Sequence, residues 1–86
     1  LVALFDQDRE KLQKLGRTAS NAAKVLQVLR ERPLITVQDA VKKAVISFPT
    51  ANKGIQLLLH QGIIREITGQ RRNRVFAYSK YLEILN

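Results

Sequence analysis

The chain has 86 residues, one histidine, seven acidic side chains and no cysteine, and this leaves little from which to build a catalytic centre. Nucleophilic or acid–base chemistry needs a base within hydrogen-bond reach of its partner, and a zinc site needs several His, Cys or carboxylate ligands close together. His60 is followed by Gln61 and Gly62 near the end of a helical stretch, where it reads as a surface residue rather than a ligand. The acids Asp6, Asp8, Glu10, Glu31, Asp39, Glu66 and Glu83 are scattered. Asp6, Asp8 and Glu10 are close in sequence, but a helix turns residues i and i+2 to different sides, so they read as a solvated face. These residues predict no enzyme, no metal site and no cofactor.

The chemistry on offer is cationic. Fifteen Lys and Arg give a formal net charge of +8, shared equally between the two halves of the chain. Only one stretch concentrates it: Arg65, Arg71, Arg72 and Arg74 gather around a single acid, Glu66. Clustered Lys and Arg gain counterion-release free energy on a polyanion, so this cluster points to nucleic acid; the bland reading is a solvated basic hairpin. Just upstream, the pattern from Phe48 to Gln61 predicts a helix. With Ile55 at the centre of its buried side, a turn of about 100° per residue sends Lys53, Leu57, His60 and Thr50 outward, flanked by Asn52 and Gln56. Thr50, Asn52, Lys53 and Gln56 can donate to phosphates or base edges. Leu57 suits a protein contact or a thymine methyl better, and Gly54 costs about 1 kcal/mol against Ala in a helix interior. Gly54 is therefore expected either to let another backbone or a DNA strand come close, or to be merely tolerated.

These side chains need elements to position them. Leu1, Leu4, Phe5, Leu12 and Leu15 fall at helical spacing, giving a first helix that Gly16 ends in a left-handed conformation. Its apolar front, Leu1 to Phe5, has no evident partner in so short a domain, which makes Leu4 and Phe5 candidates for contact with a second copy or an upstream segment. Thr18 or Ser20 can cap the next helix, whose stripe is Ala22, Val25, Leu26 and Leu29 and which Pro33 stops near Arg32. Leu34 and Ile35 are a short extended piece. Thr36 and Asp39 then form a capping-box pair ahead of a short helix carrying Val37, Ala40, Val41 and Ala44. Ser47 caps the Phe48 helix with Pro49 in its first turn, and Gly62 stops it.

Ile63 to Thr68 and Val75 to Tyr78 alternate as two strands, with Gly69 and Asn73 supplying positive φ in the loop between them. Ser79 can cap a last helix in which Tyr81, Leu82 and Leu85 face inward. Helix, helix, short strand, helix, helix, hairpin, helix is the order of a winged helix-turn-helix: mainly α with a small β-hairpin, a three-helix core plus wing, an extra N-terminal helix and a short C-terminal one. The expected division is a linking helix over 1–15 and one domain over 16–86. The first residue is Leu, so the chain is expected to be a piece of a longer protein, and no apolar run approaches the roughly 20 residues that cross a bilayer. The lack of cysteine excludes disulfides and fits a reducing, cytoplasmic location.

The turn SFPTANKGI, the segment LLHQGIIREITGQRRNRVFAY and the closing YLEIL, in this order and spacing, resemble the C-terminal winged-helix domain that follows the catalytic domain of many bacterial Fic (filamentation induced by cAMP) proteins. The likeness covers nearly the whole chain. It implies an accessory domain of an enzyme that transfers AMP from ATP to a protein hydroxyl through a loop of the form His-Pro-Phe-x-Asp-Gly-Asn-Gly-Arg. That loop is not in this sequence, so catalysis would belong to an upstream Fic domain. Two readings of this chain stay open. In one it binds duplex DNA, with Thr50, Asn52, Lys53 and Gln56 in the major groove and Arg71, Arg72 and Arg74 on the backbone or in the minor groove. In the other it is an interaction or pairing module, carried by Leu57, Leu4 and Phe5, with Tyr78 or Tyr81 if exposed.

Overall fold

A computed structural model describes residues 2–70 and 72–85, apart from the side chains of Val2, Thr18 and Leu85. The chain is mainly helical with a small antiparallel sheet. Helix α1 spans Val2–Gln13, a 3-10 turn Gly16–Ala19 leads into α2 (Ser20–Glu31), and strand β1 is Leu34–Ile35. Helices α3 (Val37–Ala44) and α4 (Phe48–His60) follow, then β2 (Arg65–Glu66), β3 (Phe76–Ala77) and α5 (Ser79–Leu85). The sheet order is β1-β3-β2: Ile35 and Glu66 both lie opposite Phe76, and Leu34 and Arg65 both lie opposite Ala77.

Helix α2 is the hub, packed against α1, α3 and α4. Its fully buried Ala22, Val25, Leu26 and Leu29 meet Ala51, Ile55 and Leu58 of α4, with Leu12, Ile35, Ala40, Ile63, Ile64 and Phe76 closing the core. The closest approach is at Gly54. A Cβ there would lie 3.0 Å from the Asn21 carbonyl oxygen and 3.1 Å from both the Asn21 carbonyl carbon and Val25 Cγ2. The backbone that Gly54 admits is therefore α2's, and Gly54 is buried between helices rather than turned to a DNA strand.

Local signals act where they stand in the sequence. Thr36 and Asp39 form a complete capping box: Thr36 Oγ1 accepts from the Asp39 amide at 3.2 Å, and Asp39 Oδ2 accepts from the Thr36 amide at 2.9 Å. Asp39 also meets the Arg32 guanidinium at 4.0 Å, the one ion pair among the described residues. Ser47 Oγ accepts from the Thr50 amide at 3.3 Å and donates to Thr50 Oγ1 at 2.8 Å, so two groups start α4. Of the two expected caps of α2, Ser20 is not used as one. Ala19 precedes α2 without a side-chain cap, and the 3-10 turn delivers the chain instead; the Thr18 side chain lies outside the described residues, and Ser20 is already helical. The turn between α3 and α4 places Val45 at φ 55°, a left-handed conformation that is costly for a β-branched residue. Its side chain is 87 % exposed, so no burial offsets that cost.

The first helix is better anchored than its sequence suggests. Phe5 is buried beneath the Arg30 guanidinium, which lies 4.9 Å from its ring centroid, and Leu12 enters the core while Leu4 packs against it. Leu4 and Phe5 thus find their partners within the chain; Leu1 lies outside the described residues. Asp8 is also not on a solvated face. It is 3 % exposed, and the buried Tyr78 hydroxyl donates to its Oδ2 at 2.5 Å. Tyr78 is a junction: its amide donates to the Pro33 carbonyl at 2.8 Å, and its ring stacks on Tyr81 with centroids 5.5 Å apart. Burial, followed by the hydrogen bond to Asp8, pushes the Tyr78 phenol far above its ordinary range.

Candidate nucleic-acid interface

The hairpin that carries the arginines is held by its single acid. Glu66 accepts from the Thr68 amide, from the Thr68 hydroxyl at 2.7 Å and from the Gly69 amide at 2.6 Å. Thr68 Oγ1 in turn accepts from the Val75 amide at 3.3 Å, and the Ile67 amide donates to the Val75 carbonyl at 3.0 Å, extending the pairing past β2 and β3. Gln70 Nε2 donates to the Asn73 carbonyl at 3.1 Å, and Gly69 and Asn73 take the positive φ values of 65° and 53° expected of them. The Thr68 hydroxyl first, then the Gly69 amide, hold the Glu66 carboxyl below the usual carboxylate range, with the Arg74 charge adding to the effect. Glu66 therefore acts mainly as a clamp on the loop. The regular strands are shorter than the alternation predicts, because Ile63 and Ile64 leave the ladder to enter the core.

Arg74 is aimed by an aromatic face, its guanidinium 5.6 Å from the Phe76 ring centroid, and Arg72 is exposed. Neither has a carboxylate at ion-pair distance among the described residues. Arg71 lies outside the described residues. Between the hairpin tip, the start of α3 and the first turns of α4 lies a cleft of about 450 Å³, lined by Thr36, Val37, Gln38, Phe48, Asn52, Arg72, Asn73 and Arg74. A second, shallower depression on the outer face of α4 is lined by Asn52, Lys53, Gln56, Leu57 and His60. Asn52 lines both, so the two depressions adjoin at that residue, and neither has an acidic side chain in its lining.

Most residues singled out from the sequence come together here. Asn52, Arg72 and Arg74 share the cleft, and Lys53 and Gln56 adjoin it through Asn52. Thr50 lines neither depression, and its hydroxyl is engaged with Ser47 at the helix start. Leu57 is not a fully outward apolar residue: it is half-buried and packs against the core, presenting only part of its side chain to the shallow depression. Leu4 and Phe5 lie on α1 and take no part in either depression, and Tyr78 is buried, so it offers no surface.

The residue the sequence hides is Phe48. A helical wheel puts it about 20° from Ile55, on the buried side. In the structure the first turn of α4 runs beyond the core, leaving Phe48 57 % exposed on the cleft wall. Gln38 and Asn73 join it because the α3 start and the hairpin tip converge there, which no local pattern encodes.

Among the described residues no three His, Asp or Glu side chains gather as they would around a metal ion, and no helix is long and apolar enough to cross a membrane. No family model matches the chain, and neither a curated protein nor a solved structure does.

Proposed function

We propose that the chain is a winged helix-turn-helix module that binds duplex DNA, with α4 in the major groove and the β2–β3 hairpin as the wing. The observation that carries this reading is that two depressions free of acidic lining, one against the arginines of the hairpin and one on the outer face of α4, adjoin at Asn52. The architecture supports it: α2, α3 and α4 pack around one core, and β1 pairs with the returning strand of the hairpin, giving the order β1-β3-β2. Lys53 and Gln56 are exposed donors on α4, Asn52 can reach a base edge or a phosphate, and Arg72 and Arg74, with Arg71, neutralise backbone phosphates. Each phosphate neutralised releases condensed counterions, so affinity must depend on salt.

The resemblance to the C-terminal domain of Fic proteins supports placing this module behind a catalytic domain that carries the AMP-transfer chemistry, with none assigned to this chain. The interaction-module reading, including pairing of two copies, has less support, since Leu4, Phe5 and Tyr78 are engaged internally, while Leu57 and Tyr81 keep part of their surface. The test is titration of a labelled duplex at several salt concentrations. With three wing arginines on phosphates, log affinity falls against log salt with a slope of about 3 in magnitude, and Arg72→Ala or Arg74→Ala each lowers it by about 1. No binding even at low salt refutes the DNA reading.

A further inference from the structure

We infer that the cleft between α4 and the hairpin holds one unpaired nucleotide, with its base against Phe48 and its phosphate on Arg72 and Arg74. This rests on the DNA-binding reading and goes beyond it, because α4 in a major groove requires no unpaired base. A phosphodiester strand passing between helix and wing would engage the two arginines alone. The cleft offers more: an exposed aromatic ring, three amide side chains (Gln38, Asn52 and Asn73) and two cations, with no acid in the lining. An aromatic ring can take a base face, amides with both donors and acceptors can take a base edge, and guanidinium groups can take a phosphate.

Size and order agree with this occupant. At about 450 Å³ the cleft falls within the range of small-ligand sites, roughly 300–1,000 Å³. One wall is preformed, since Glu66 pins the hairpin loop and the Phe76 ring orients Arg74. The opposite wall is the start of α4, fixed by the Ser47 cap. Phe48 is 57 % exposed and stands apart from the buried face of α4, which Ala51, Gly54, Ile55 and Leu58 supply. Bases inside a duplex keep their faces stacked on one another; a frayed end, a tail or an extra unpaired base exposes one.

The experiment compares three labelled DNAs by fluorescence anisotropy at one salt concentration: a blunt duplex, the same duplex with a short single-stranded tail, and that duplex with an abasic tail carrying equal phosphate charge. Each is titrated with the wild-type chain and with Phe48→Leu, which keeps an apolar side chain and removes the π-face; circular dichroism confirms that the variant folds. The tailed duplex is expected to bind wild type about tenfold more tightly than the blunt one, the scale of one base–aromatic stack. The abasic tail and the Phe48→Leu variant are each expected to abolish that gain, read as the ratio of tailed to blunt affinity within each protein. Equal binding of tailed and blunt duplexes, a gain kept by the abasic tail, or a gain kept by Phe48→Leu overturns the nucleotide cleft and leaves duplex binding standing. Failure to bind any of the three overturns both.

Discussion

Replacing Tyr78 by Phe removes one oxygen from the interior and leaves Asp8 alone. The Tyr78 ring stays packed on Tyr81, so the perturbation is confined to the 2.5 Å hydrogen bond and to a carboxyl group only 3 % exposed. A hydrogen bond to a charged group contributes about 1.5–3 kcal/mol, and a buried acceptor left without its donor also bears its own desolvation cost. Tyr78→Phe should therefore lose about 2–3 kcal/mol, a large share of the roughly 5–15 kcal/mol that holds a domain of this kind folded. In a chain this short that lowers Tm by about 8–24 °C. Asp8→Leu orphans the phenol instead and should cost about 1–3 kcal/mol. The double variant Asp8→Leu/Tyr78→Phe removes both polar partners, and its cost should fall short of the sum by about 1–2 kcal/mol. Urea unfolding followed by circular dichroism measures all three. A loss below about 0.5 kcal/mol for Tyr78→Phe, or strict additivity in the double variant, would refute the coupling. Alkaline pH gives an independent check. The folded phenol is raised above its unfolded value near 10, so its contribution is complete below about pH 10 and is lost above it, as the unfolded chain releases the proton first. Tyr78→Phe should remove that part of the alkaline destabilisation.

Three further outcomes follow from the geometry. Gly54→Ala gains about 1 kcal/mol in helix propensity, but two of the three atoms its Cβ meets belong to the α2 backbone; the overpacking cost of about 1–3 kcal/mol should win, and chemical unfolding should show a net loss. Val45→Gly relieves a left-handed β-branched residue with no buried contact to lose and should raise stability by about 1 kcal/mol in the same assay. Because the folded-state pKa of Glu66 is depressed, its hold on the hairpin loop is complete above its unfolded value near 4.3 and weakens as pH falls through the lowered folded value. Protection factors for amide exchange at Thr68 and Gly69, taken against the intrinsic rate at each pH, should therefore fall under acid while the helical core stays protected, and Glu66→Gln should show that loss at neutral pH.

What the sequence discloses and what it hides divide along physical lines. Thr36 with Asp39, Ser47 with Pro49, and the positive-φ positions Gly62, Gly69 and Asn73 are legible because their causes lie within a few residues of their effects. Asp8 is misread because its partner is 70 residues away, and a carboxylate on a polar stretch carries no mark of that contact. At Gly54 and Phe48 the sequence is silent for a shared reason: a helical wheel gives a direction but not a distance. Gly54 admits the α2 backbone, one of the approaches its sequence leaves open, and Phe48 is exposed because the first turn of α4 has already outrun the core. The polar side of the candidate interface is largely legible, since Asn52, Lys53, Gln56, Arg72 and Arg74 follow from periodicity and charge. The cleft itself is not, because it is made by the convergence of the α3 start, the α4 start and the hairpin tip.

The sheet order also sets a schedule for biosynthesis. Strand β3, the last strand in the chain, is the central one, and β1 and β2 pair only with it. The helices α1 to α4, which contact one another, all precede the hairpin in sequence and so leave the ribosome before it. The two outer strands must wait with unpaired edges until Phe76 and Ala77 emerge, and the Tyr78 side chain reaches Asp8 in the same step. The segment from Phe76 to Tyr78 thus pairs both outer strands and secures the first helix at once.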